Sequence, residues 1–222
     1  MRRRLLTALV IVGMLILSAC GGGDDRAATL PPEEAAGPTT QSRAPQPAQR
    51  TEAELRAALL TVTDLPAGFT VDTSPESAST TSGCEQLDAL KRQGGSELEA
   101  RFTKGSYGPF VSETLKQGPS EAATHDALVK MSGALSQCRT FSTKADDGST
   151  VTMKLGPLSF PKLGDETFAL RMTADSQGLT LAGDMVVIRQ DAVGILITNL
   201  AFGTVDTQLT ETVAHTAVAK LD

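Results

Sequence analysis

The segment VGILITNLAF (193–202) is apolar at both alternating sets of positions. An extended chain sends successive side chains to opposite faces, so this run reads as a central strand and not as a sheet edge. Its neighbours support a sheet around it. QDAVG (190–194) turns the chain into it from a second strand at 179–189, and Ser176, Gln177 and Gly178 turn a third into that one. In the third strand Phe168, Leu170 and Met172 alternate with Ala169 and Arg171. Val151, Met153 and Leu155 alternate with Thr152 and Lys154 after an Asp147, Gly148 hairpin turn. Earlier, LEARFT (98–103) alternates cleanly, 109–116 forms a further strand, and Phe69 and Val71 make a short one after the turn at Pro66 and Gly68.

Helical patterns interrupt this series. Thr51 and Glu54 form a capping box that opens a short helix to about Leu60. A short helix follows the Ser/Thr-rich loop 73–83, over about 84–92. Ser120 caps a helix to about Gln137, with Leu128, Met131 and Leu135 at helical spacing. Leu209, Val213, Ala217 and Leu221, with Ala214 and Val218 beside them, mark an amphipathic closing helix. Strands joined by short turns give an antiparallel sheet, so the expected class is α+β. About six or seven strands form one twisted sheet, with one face covered by three or four helices in a single domain at 51–222.

The N-terminal segment gives an address. Arg2, Arg3 and Arg4 precede an apolar run at 5–17, whose length fits a secretory signal and is short for a membrane span. Leu17, Ser18, Ala19 and Cys20 then resemble a bacterial lipobox. That resemblance implies a signal peptide at 1–19 and a diacylglyceryl group on Cys20, which becomes the mature N-terminus. It puts the chain on the outer face of the cytoplasmic membrane, with the membrane as its first partner. An uncleaved anchor helix is the alternative. Residues 21–50 are rich in Gly, Pro and polar residues and read as a tether with a reach of roughly 30 Å.

The formal charge of −6 becomes about −9 without the three signal arginines, 17 basic against 26 acidic residues. Nucleic acid and anionic headgroups are therefore not expected to be held by bulk charge. Tryptophan is absent and Tyr107 is the sole tyrosine, which argues against an aromatic sugar or choline site. Besides Cys20 the chain has Cys84 and Cys138. Outside the cell a disulfide between them is expected, worth about 4 kcal/mol in the chain-entropy treatment. Two buried thiols or half of a metal site are the alternatives, and no metal or other cofactor is expected.

Several phrases carry a family resemblance. They are LLTVTDLPAGF (59–69), the cysteine after the Ser/Thr loop, the cysteine ending the middle helix, and LGDETFALR (163–171). Together with the apolar hairpin and closing helix, they resemble the extracellular sensor domain of mycobacterial receptor Ser/Thr kinases, the PknH-like sensor family, which also occurs in actinobacterial lipoproteins. The resemblance covers roughly 55–222. It implies a twisted antiparallel sheet with helices, disulfide bonding and a ligand-binding cleft. The chain departs from it in having two domain cysteines, hence one bridge at most, and no kinase with which to signal.

Residues with chemical potential are few. Asp165 and Glu166 enter a strand and read either as a polar cleft edge or cation ligand, or as a turn in which Asp165 accepts backbone amides. Glu121 and His125, and Glu211 and His215, stand four apart, a helical pairing that reads as pH sensing or as a solvated face. No GxSxG, phosphate loop or metal-ligand spacing occurs. The expectation is a non-enzymatic binding or sensor module that presents a cleft to a small molecule, a cell-wall fragment or a partner protein. A lipid carrier with an enclosed apolar cavity is the alternative, and an envelope hydrolase fits least.

Overall fold

The computed structural model describes residues 49–74, 82–91, 97–144, 148–176 and 178–222. The expected signal peptide, Cys20, most of the expected tether, and Asp147 and Gln177 of the two expected turns lie outside the described residues. The chain is α+β. Helix α1 (Glu52–Ala58) and a 3-10 turn (Val62–Asp64) precede strand β1 (Thr70–Val71) and helix α2 (Glu85–Lys91). Strands β2 (Leu98–Thr103) and β3 (Phe110–Gln117) lead to α3 (Glu121–Gln137). Five strands follow: β4 (Thr140–Lys144), β5 (Thr150–Pro157), β6 (Glu166–Ser176), β7 (Leu179–Gln190) and β8 (Val193–Phe202), and α4 (Thr207–Ala219) closes the chain.

All eight strands form one antiparallel sheet in the order β1-β2-β3-β8-β7-β6-β5-β4. Two meanders meet where β3 pairs β8. Helix α3 makes this possible by carrying the chain from β3 to the far edge, from which five strands return to the centre. VGILITNLAF is indeed central, with β3 on one side and β7 on the other.

The sheet holds one strand more than the upper expectation. The unexpected strand is β4, an edge strand of sequence TFSTK whose single apolar residue is Phe141. An edge strand with little to bury carries little periodicity, so sequence patterning cannot find it.

Helices cover both faces, not one as expected. On one face, Leu55 and Ala58 of α1 and Leu209, Val213, Ala214, Ala217 and Leu221 of α4 pack with Val111, Leu115, Val186, Ile188, Ile195 and Ile197. On the other, Met131 and Leu135 of α3 and Leu87 of α2 meet Leu155, Phe168, Leu170, Met172 and Met185. The two faces take alternate residues of each strand, which is why β8 needs apolar residues in both registers.

Cys84 and Cys138 are disulfide-bonded, with Cα atoms 6.1 Å apart. Cys84 directly precedes α2 and Cys138 is the C-cap of α3, so the bridge fastens the short helix to the long one. Replacing both cysteines by serine is expected to lower the unfolding free energy by about 2–4 kcal/mol, read by urea denaturation. Wild-type stability in that variant would show that helix packing alone holds α2.

Candidate functional site

Asp165 and Glu166 converge on one cation. Arg189 near the end of β7 donates from Nη1 to Asp165 Oδ2 at 2.9 Å and from Nε to Glu166 Oε1 at 2.7 Å. Asp165 Oδ2 also accepts the Asp191 amide at 2.8 Å, and the Asp165 amide donates to the Arg189 carbonyl at 2.9 Å. Gly164 lets the chain come this close. Its φ is +57°, and a Cβ there would stand 2.5 Å from the Arg189 carbonyl oxygen. His125 Nδ1 completes the cluster 2.8 Å from Glu166 Oε2.

The expected helical pair Glu121 and His125 thus gives way to a pair between α3 and β6, because Arg189 holds Glu166 under the helix. His215 is exposed, and no Glu211–His215 ion pair forms among the described residues. The cluster ties α3, β6 and β7 together at one end of the sheet. No group of three or more metal-ligating side chains occurs among the described residues.

A second polar constellation lies inside the fold, and sequence reasoning missed it. Asp184, Asn199 and Thr210 are fully buried. Arg171 Nε donates to Asp184 Oδ1 at 2.6 Å and Thr210 Oγ1 donates to Asp184 Oδ2 at 3.0 Å. Asn199 Nδ2 donates to Thr210 Oγ1 at 3.0 Å and to the Asp206 carbonyl at 2.9 Å. Arg171 Nη2 reaches Thr207 Oγ1 at 2.6 Å. The network fastens the first turns of α4 to β6, β7 and β8. A signal for it existed: Asn199 shares the inward register of Val193, Ile195 and Ile197.

Glu113 is a further buried polar residue, in register with Val111 and Leu115 on β3. Its Oε2 accepts the Leu60 amide at 2.6 Å, and Oε1 has no hydrogen-bond partner. Burial pushes its pKa up to about 7, against the opposing effect of the Leu60 hydrogen bond.

At the sheet end opposite Arg189 lies a cleft of about 490 Å³. This is within the size range of small-molecule sites, about 300–1,000 Å³. Pro66 and Phe69 line it from the loop before β1, Lys104, Gly108 and Pro109 from the β2–β3 turn, and Asp206, Gln208, Leu209 and Thr212 from the start of α4. The Asp206 side chain is the α4 N-cap, accepting the amides of Gln208 at 3.0 Å and Leu209 at 3.3 Å. Lys104 lies across Gly68, where a Cβ would stand 3.0 Å from its Cε. Its ammonium sits 5.9 Å from the centre of the Phe69 ring. On the same β2–β3 turn, Tyr107 is 76% exposed and meets Phe202 edge to face at 5.9 Å. Neither Asp165 nor Glu166 lines this cleft.

The fold is similar to that of the extracellular domain of PknH from Mycobacterium tuberculosis. The TM-score is 0.61 at 12% sequence identity, covering 78% of this chain and 98% of that one. No family model matches the chain, and no curated protein does. No helix among the described residues is long and apolar enough to cross a membrane.

The buried Glu113 and the partly exposed Glu166 give opposite pH dependences. Glu113 binds its proton more tightly folded than unfolded, so stability falls as pH rises from about 4.5 to about 7. The drop is about 3 kcal/mol. Glu166, held down by Arg189 first and His125 second, acts in the opposite sense. Its contribution is present above the ordinary carboxylate range and is lost as pH falls through its lowered folded value. Denaturation midpoints measured from pH 4.5 to 8 should show the Glu113 slope in the wild type and lose it in Glu113→Gln. An unchanged slope in that variant would contradict the assignment.

Proposed function

We propose that this chain is a lipid-anchored extracytoplasmic binding module that works without catalysis of its own, holding a small molecule in the cleft between the β2–β3 turn and α4. The observation that carries the reading is the composition of that cleft. Phe69, Pro66, Pro109 and Leu209 offer apolar surface, while Lys104, Gln208 and Thr212 bring a few polar groups to the same space. Apolar walls with a small number of convergent polar groups are what recognition of a small molecule requires. The likeness in fold to an extracellular domain supports a position outside the cell.

The remaining polar clusters have other duties. Arg189, Asp165, Glu166 and His125 are engaged with one another, and Asp184 is sealed under α4. His215 is exposed and apart from these clusters. A hydrolase needs a nucleophile, a base and a group to orient that base in one accessible place. Those residues stand at different ends and faces of the sheet.

Gln49 and Arg50, which precede α1, and the cleft lie at opposite ends of the domain. Gln49 donates to the Pro119 carbonyl at 2.6 Å, and Arg50 donates to the Leu221 carbonyl. Both partners lie at the end of the sheet where β3 finishes and β8 begins.

Two outcomes are expected. Cys20→Ala abolishes membrane fractionation of the mature-size protein; unchanged fractionation at mature mass would overturn the anchor. Native mass spectrometry of protein purified from its own host shows a non-covalent adduct, and Thr212→Trp, which fills the cleft, loses it. A bare polypeptide mass in the wild type, or an adduct that persists in Thr212→Trp, would overturn the cleft as the binding site.

A further inference from the structure

Resting on the cleft as the binding site, we infer that its ligand is an amphiphile bearing a single carboxylate, whose apolar body lies against Phe69, Pro109 and Leu209 and whose charge is held by Lys104. The unpaired cation decides the class. Lys104 is the one cation lining the cleft, and no carboxylate pairs with it among the described residues. Its stem passes over Gly68, which leaves room for it, and its ammonium lies 5.9 Å from the centre of the Phe69 ring. A desolvating aromatic face on one side leaves the other side of the ammonium for an anion.

The rest of the lining limits how much negative charge the ligand carries. The α4 amides of Gln208 and Leu209 are already taken by Asp206, so the helix end offers no anion pocket of its own. Asp206 instead adds a negative charge to the same wall. A carboxylate on Lys104 leaves one charge matched. A phosphomonoester, at about −1.5 to −2, would turn its surplus charge toward Asp206. Arginine, whose fork suits phosphate oxygens in pairs, is missing from the lining. The apolar walls then favour a hydrocarbon or ring body over a small, fully hydrated acid, which would leave the exposed Pro66 and the half-buried Pro109 uncovered.

The test uses the full chain and displacement of a fluorescent polyene fatty acid, read at the probe's own emission. Dodecanoate is expected to displace the probe, with dodecanol, dodecyl phosphate and butyrate each at least about tenfold weaker. Lys104→Gln should weaken dodecanoate about tenfold and leave dodecanol unchanged, while Lys104→Arg retains most of the affinity. Thr212→Trp should abolish binding of all of them. Equal affinity for dodecanol and dodecanoate, with no effect of Lys104→Gln, would overturn the carboxylate while leaving the cleft as the site. Tighter dodecyl phosphate would overturn the single-charge argument. Probe binding that survives Thr212→Trp would overturn the cleft itself, and failure of every amphiphile to bind would overturn this inference while an adduct from the host still supported the cleft.

Discussion

The contact on which this structure depends is the buried carboxylate of Asp184. A charge sealed from water is costly unless it is paired and hydrogen-bonded, and here Arg171 and Thr210 supply both. The consequence is positional. The face that α4 turns to the sheet is built from Leu209, Val213, Ala214, Ala217 and Leu221 against branched aliphatic residues. Such a surface buries well, at roughly 1.5–3 kcal/mol for each large side chain, but many registers satisfy it about equally. Only one register brings Thr210 onto Asp184 and Asn199, and only that register sets Asp206, Gln208, Leu209 and Thr212 against the β2–β3 turn. The shape of the cleft therefore follows from a polar contact inside the core.

The sheet divides its work between its ends. At one end Arg189 gathers Asp165 and Glu166, His125 joins from α3, and the incoming chain at Gln49 and Arg50 is tied down. Hydrogen bonds there are numerous and mutually supporting, and the chain is held. At the other end lie the β2–β3 turn and the end of β8, where Tyr107 and Phe202 are exposed and Lys104 pairs with no carboxylate among the described residues. A surface that leaves aromatic rings and a lone cation in water does not contribute to stability by doing so, and such surfaces mark places where something else binds. Glu113 lies between the two in the α4-side core, with an unsatisfied oxygen and a pKa raised toward neutrality.

Most of the architecture was legible in the sequence because burial dictates periodicity. VGILITNLAF announced a central strand, Thr51 and Glu54 a capped helix, and Leu209 to Leu221 the closing helix, and each stands where the pattern put it. The cysteine pairing followed from there being two in the domain. What periodicity cannot report is long-range pairing of polar groups. His125 has Glu121 one turn away, yet it bonds Glu166, 41 residues on, because Arg189 stations that carboxylate beneath α3. Asp184 and Asn199 lie within the strands read at 179–189 and 193–202, which assigned them no role, and they turn out to be the anchor of α4. The cleft is harder still. Its residues come from three separate segments, around positions 66–69, 104–109 and 206–212, and only the first belongs to a phrase that stood out, LLTVTDLPAGF, for its family resemblance and not as a site. Asp165 and Glu166 drew notice as adjacent charges, whereas the cleft is made mostly of proline, phenylalanine, leucine and one lysine.

The central claim is that the cleft beside α4 is where this protein holds its ligand, and a crystal structure of the full chain purified from its own host tests it most directly. The account predicts continuous ligand density between Phe69 and Leu209, with its polar end within hydrogen-bond distance of Lys104 Nζ. A cleft containing water alone, with ligand density on another surface of the domain, would contradict it.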